Sequence, residues 1–352
     1  MLPVLDSGPT AGLATAFLAE FLSDGSVPAL STLTRVPLTE PLGLTRFSAD
    51  IHRPAFSLTP SPLVLVHGLS AQGKDDPRLR QAAQLLARAG FAVAVPTIPG
   101  LTQLRLRPED AEPVVAAIQV LGSRSGGRRV AVVGVSVGAG PALLAAADPR
   151  VADRVGLVLS LGGYASTVEL LRHFLTGQSG FGPVTERAAP NPEGARLLLR
   201  ANLDLLEDPR DRARLSAWLD AAGGAPPGAL SRAGAAVVEL LENRDPARVG
   251  PLIEALPPAL RTLLERLSPE QVLPRLRGRL VLVHGRNDPA VPYTESLRLA
   301  EAARRAGIPL RLVVVGVVAH VEAAELPAGA LWQRTRDLAK LWATTFDLFR
   351  SR

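Results

Sequence analysis

The chain has 352 residues, no cysteine, five histidines and a formal net charge of +6 at pH 7. A chain of this length buries a sizeable core and fits one catalytic unit with an insertion, and the missing cysteine excludes disulfides, thiolate metal sites and a cysteine nucleophile. The positive charge is carried by arginines scattered among acids, with Lys74 and Lys340 the only lysines; this reads as biased arginine usage, so no nucleic-acid partner is expected.

In chain order, Met1 to Asp6 lacks the basic segment of a secretory signal, and the apolar stretch from Ala11 to Leu22 is interrupted by Glu20. It is too short for a membrane span and predicts an amphipathic helix packed on the domain, with peripheral membrane contact through that helix as the alternative. A cytoplasmic location is the expectation, membrane association its rival. Leu30–Arg35 and Leu44–His52, separated by Pro37, Pro41 and Gly43, predict an antiparallel edge hairpin.

Strands at Leu63–Val66, Phe91–Val95 and Val130–Val133 then alternate with helices at Asp76–Ala89 and Pro108–Leu121, the pattern of a parallel sheet covered on both faces. After a strand at Val155–Leu161 the β pattern disappears for about 110 residues. From Ser166 to Arg275 the chain is rich in Leu, Ala, Arg and Pro at helical spacing and reads as a helical lid. Within it, Gln178–Pro183 carries glycines suited to a hinge and a phenylalanine, Phe181, that could face substrate; a plain surface loop is the other reading. The sheet resumes at Leu280–Val283, followed by a helix at Thr294–Ala306, a strand at Leu310–Val315 and a helix at Ala328–Phe349. The expected division is an N-terminal helical segment (1–29), a core (30–165 and 276–352) and the lid (166–275). No internal repeat is present.

The most informative segment is Gly134-Val135-Ser136-Val137-Gly138, set between a β-branched run and an alanine-rich helical stretch. A serine on such a strand-to-helix turn presents its hydroxyl above the sheet edge, and the turn needs glycines where neighbouring backbone leaves no room for β-carbons. The pentapeptide alone is a weak signal in a glycine-rich chain. Its context is stronger: Pro62–Ser70 is an apolar run ending in His67-Gly68-Leu69, Arg279–Asp288 is a buried-strand pattern ending in a carboxylate, and Arg311–His320 is another ending in an imidazole.

With Ser136, Asp288 and His320 in that order, residues 30 to 350 resemble the α/β-hydrolase superfamily, whose nucleophile, acid and histidine follow in the same chain order on loops after strands of one mostly parallel sheet. The resemblance implies an α/β-hydrolase fold, with the sheet flanked by helices and a helical lid inserted. It also implies that Ser136 attacks the acyl carbon, His320 acts as general base and Asp288 orients the imidazole. Backbone N–H groups of Leu69 and Val137 would form the oxyanion hole, with His67, Gly68, Gly134 and Gly138 in support. His284 reads as a hydrogen-bonded core residue, His173 and His52 as surface or packing residues, Glu322 as a solvated charge, and Glu169 as a poor competitor for the acid's place.

No pair of histidines has the spacing to grip one metal, so neither metal nor cofactor is expected. A serine at the elbow argues against dehalogenase and epoxide hydrolase chemistry, which in this superfamily would use aspartate there. The expected activity is hydrolysis of carboxylic esters or thioesters of a small-molecule acyl substrate, the apolar lid favouring an acyl or aromatic group. A peptidase or amidase, an acyltransferase, and a non-catalytic binding protein on the same fold are the alternatives. The oligomeric state is left open.

Overall fold

The computed structural model describes residues 7–57, 59–221, 224–320 and 331–350. Eight strands form one sheet: β1 (Leu38–Pro41), β2 (Ala49–Arg53), β3 (Ser61–Val66), β4 (Phe91–Pro96), β5 (Val130–Val135), β6 (Val155–Leu161), β9 (Arg279–Gly285) and β10 (Leu310–Val315); β7 (Gln178–Phe181) and β8 (Val184–Arg187) pair separately. The sheet order is β1-β2-β4-β3-β5-β6-β9-β10. From β4 to β10 every pairing is parallel, and at the edge β2 pairs antiparallel with both β4 and β1, so that β2 alone runs against the rest.

The helices before the insertion are α1 (Ser7–Leu22), α2 (Ala29–Leu33), α3 (Pro77–Arg88), α4 (Pro99–Thr102), α5 (Glu112–Arg124) and α6 (Ala139–Ala146). Residues 166–275 carry α7 (Thr167–Thr176), α8 (Pro192–Arg200), α9 (Pro209–Asp220), α10 (Arg232–Glu242), α11 (Val249–Ala255) and α12 (Pro258–Arg266). The chain then continues through α13 (Thr294–Arg305) to α14 (Leu331–Arg350).

Successive side chains on a strand point to opposite faces, and a parallel sheet covered on both sides has strands apolar throughout. On β3, Leu63 and Leu65 enter one core with Leu79 and Leu86 of α3 and Leu341 and Leu348 of α14. Val64 and Val66 enter the other core with Val114 of α5, Leu143 of α6 and Leu299 of α13. Leu171, Trp218 and Leu240 of the inserted segment belong to this second core, so the insertion packs through a continuous apolar layer.

Three local expectations differ. Residues 30–35 do not form a strand: α2 starts there because Glu20 of α1 accepts the N–H groups of Leu30 and Ser31, each at 2.8 Å, and the Ser31 hydroxyl also donates to it. A carboxylate at the free N–H groups of a first turn favours helix. The edge hairpin is instead β1–β2, with Leu38 opposite Arg53. Within the insertion, residues 178–187 form the β7–β8 hairpin, closed by the two-residue turn Gly182-Pro183 with Gly182 at φ +57°. Met1–Asp6 and Glu322 lie outside the described residues.

Candidate active site

Ser136 sits between β5 and α6 with φ +54°, a left-handed conformation uncommon for a residue with a side chain. Its neighbouring glycines are needed for space. A β-carbon at Gly134 would lie 2.6 Å from Ala139 Cα and 2.8 Å from Ala142 Cβ, and one at Gly138 would overlap the His67 carbonyl oxygen. The turn therefore packs directly between α6 and the loop after β3.

That loop carries His67, Gly68 and Leu69. His67 is buried, accepts the Ile98 N–H at Nε2 (3.0 Å) and donates from Nδ1 to the Gly68 carbonyl (2.7 Å). Burial lowers its pKa despite the Gly68 carbonyl, so the imidazole is held neutral with the proton on Nδ1. A β-carbon at Gly68 would sit 3.2 Å from Ser136 Cβ, which places this backbone against the serine. Ser70 then donates to Asp76 (2.9 Å), the N-cap of α3, tying the loop to the start of that helix.

Asp288 lies in the turn after β9, its side chain fully buried. Oδ1 accepts the N–H groups of Ala290 and Val291 at 2.8 and 2.9 Å, and Oδ2 accepts Nδ1–H of His320 at 2.6 Å. His284 Nε2 stands 3.4 Å from the same oxygen, donates to the Val291 carbonyl (2.9 Å), and receives the Ser296 hydroxyl at Nδ1 (2.7 Å). Burial alone would raise the Asp288 pKa, but hydrogen bonds from His284, His320 and the Val291 N–H lower it to about 2.

His320 follows β10 and spans the remaining gap, with Nε2 2.6 Å from Ser136 Oγ. Because Nδ1 keeps its proton and donates it in a hydrogen bond to Asp288, the Nε2 lone pair faces the serine hydroxyl. Gly162, at φ +62° after β6, backs the pair: a β-carbon there would meet His320 Nδ1 at 3.3 Å and Asp288 Oδ2 at 3.4 Å. Ser136, Asp288 and His320 are thus brought together from residues 184 and 32 positions apart. The arrangement can draw a proton off the serine hydroxyl as the oxygen attacks an electrophile, with the resulting imidazolium facing a carboxylate.

Next to Ser136 opens a cavity of about 690 Å³. Leu65, Val133, Leu159 and Leu161 of the sheet floor it, α1 roofs it, and α3 and α14 flank it. Among the described residues, none of 166–275 lines it. Phe181 instead packs under the Arg298 guanidinium, 5.2 Å from its ring centre, and Arg298 also donates to the Gly180 carbonyl. The sequence missed this role of α1. Its signal was the apolar pairs Phe17/Phe21 and Leu18/Leu22 at helical spacing, which marked a buried face without naming what it covers. Of the remaining histidines, His52 is buried in β2 against the Thr39 hydroxyl (2.9 Å), and His173 is buried on α7. Among the described residues no group of His, Asp and Glu is placed to hold a metal, and no helix is long and apolar enough to cross a membrane.

Residues 63–329 match the sequence model of the alpha/beta hydrolase family. No curated protein matches the chain in sequence. Among solved structures, the Pyrococcus horikoshii acylaminoacyl peptidase superposes with a TM-score of 0.53 at 13% identity, over 90% of this chain and 42% of that one. A puromycin-hydrolyzing peptidase from Mycobacterium tuberculosis gives 0.51 at 18%, over 91% and 41%. A truncated carbohydrate esterase from gut microbiota gives 0.51 at 14%, over 89% and 97%. The chain spans about two-fifths of the length of the peptidases, and at these identities the likeness is one of fold.

Proposed function

This chain belongs to the alpha/beta hydrolase family, and we propose that it is a serine hydrolase that cleaves carboxylic esters or thioesters through an acyl-enzyme on Ser136. The observation that carries the reading is the continuous hydrogen-bonded path from Ser136 Oγ to His320 Nε2 and from His320 Nδ1 to Asp288 Oδ2, each step 2.6 Å.

In the first half-reaction Ser136 Oγ bonds to the acyl carbon while its proton passes to His320 Nε2. The carbonyl oxygen gains negative charge and is held by the N–H groups of Leu69 and Val137, each such donor contributing about 3 kcal/mol in related chemistry. The bond to the leaving oxygen or sulfur then breaks as His320 returns the proton to it. In the second half a water bonds to the acyl carbon, His320 takes its proton, the Ser136–acyl bond breaks, and Ser136 recovers the proton as the acid departs. Asp288 stays ionised throughout and keeps the imidazole in the tautomer that serves both halves.

Intact-mass analysis after incubation with a fluorophosphonate tests this, alongside hydrolysis of p-nitrophenyl esters. Wild type is expected to gain one adduct and to turn over esters, and Ser136→Ala to do neither. A folded wild-type protein that takes no label and hydrolyses no ester would overturn the reading.

A further inference from the structure

We propose that the acyl group transferred to Ser136 is a long, unbranched aliphatic chain lying between the sheet and α1, so that the N-terminal helix, not the inserted segment, sets which chain lengths are accepted. The proposal rests on the reading of Ser136 as nucleophile.

The first support is an opening where the fold predicts closure. β6 lies between β5 and β9 near the middle of the sheet, where strands covered on both faces have no accessible side chains. Leu159 and Leu161 are nevertheless only half-buried, as is Val135 at the end of β5, and all three line the cavity beside Ser136. Protein interiors close-pack, and an apolar void of this size in a sheet's core layer is room kept for a ligand.

The second support is the chemistry of the walls. The floor is aliphatic, the roof is Phe17, Leu18, Phe21 and Leu22 of α1, and the side wall includes Leu341 and Leu348 of α14. Beyond the catalytic groups and His67, the polar lining groups come from the turn after α1, from residues 70–81 and from Thr344 and Thr345 of α14; Asp76 is already committed to Ser70 and to the first N–H groups of α3, and the Thr344 hydroxyl donates to the Lys340 carbonyl. A hydrocarbon suits the aliphatic floor and the apolar roof; a charged or sugar-like acyl group laid between them would lose its hydration without replacement.

Size is the third. A methylene occupies about as much space as a water molecule, ~30 Å³, so a chain of ~12 carbons needs ~360 Å³. The 690 Å³ available leaves space for the ester group as well. The leaving group takes its proton from His320 and must depart, whereas the acyl group stays bonded to Ser136 until water arrives. A cavity floored by the sheet therefore suits the acyl part.

The roof is anchored by the chain itself. Phe17 stacks on Phe21 with ring centres 5.7 Å apart and meets Phe349 of α14 edge-on at 5.3 Å, while Trp342 donates to the Thr15 hydroxyl at 3.0 Å.

The test compares kcat/KM for p-nitrophenyl esters from acetate to palmitate, and for ethyl dodecanoate against dodecyl acetate, in wild type and Ala82→Phe. Ala82 of α3 lines the cavity, and a phenyl group there would shorten it. In wild type kcat/KM should rise about 3- to 4-fold per methylene up to ~10–12 carbons. Ethyl dodecanoate should exceed dodecyl acetate by at least ~10-fold, and A82F should lower the dodecanoate-to-acetate ratio by at least ~10-fold. If A82F does not fold, the wild-type series and a rise in the wild-type thermal midpoint with sodium dodecanoate decide the matter. Fluorophosphonate labelling of Ser136 with a flat chain-length profile, or with dodecyl acetate preferred, overturns this inference and leaves the serine hydrolase reading standing. Absence of both labelling and turnover overturns the reading beneath it.

Discussion

Gly285, at the end of β9, lies so close beneath Ala319 that a β-carbon on it would overlap the Ala319 carbonyl oxygen. The loop bearing His320 can close onto the loop bearing Asp288 only because residue 285 has no side chain. Gly285→Ala should therefore push the imidazole away from both partners while leaving the sheet intact. Misplacement of a catalytic group by ~1 Å typically costs ~100-fold in rate. The expected outcome is a fall of about that size in ester kcat/KM with a wild-type far-UV circular dichroism spectrum.

Asp288→Asn keeps an oxygen for the Ala290 and Val291 N–H groups but turns an amide N–H toward His320 Nδ1. The imidazole then carries its proton on Nε2 and faces the Ser136 hydroxyl with a donor. A loss of about 10³- to 10⁴-fold in kcat is expected, with KM little changed, in a steady-state ester assay. A loss below ~10-fold would remove Asp288 from the orienting role.

The same carboxylate links stability to pH. Its native pKa is depressed from an ordinary 3.8 to about 2. A depressed acid pKa contributes stability that is fully present above 3.8 and disappears as pH falls from there toward 2. The contribution is ~2 kcal/mol. Urea unfolding between pH 5 and 2 should show wild type losing stability over this window more steeply than Asp288→Asn, which has no carboxyl to protonate there.

Glu20 joins α1 to α2 through two backbone N–H groups and a hydroxyl. Removing it leaves the Leu30 N–H buried without its acceptor. Glu20→Ala should lower unfolding stability by ~1–3 kcal/mol, with Glu20→Gln losing less, as read from urea midpoints at constant m-value.

The sequence alone determined the alternation of strands and helices and the place of Ser136, Asp288 and His320 on it, because those signals are local. A buried parallel strand needs a short β-branched run, and a turn between two packed backbones needs glycine at 134 and 138 whatever the rest of the chain does. His67 was legible for the same reason, standing at the end of such a run.

Tertiary structure decided the rest. Residues 30–35 favour strand by their own propensity, yet a carboxylate ten positions earlier makes them begin a helix. Residues 178–187 pair as a hairpin because Gly182 can hold φ +57° and Arg298, more than a hundred positions later, donates to the Gly180 carbonyl. The cavity depends on α1 lying across α14, a meeting of residues such as Thr15 and Trp342 that are 327 positions apart. Local pattern marks a helix face as apolar. What that face covers is fixed only when distant elements pack, since the burial of apolar surface has no direction of its own.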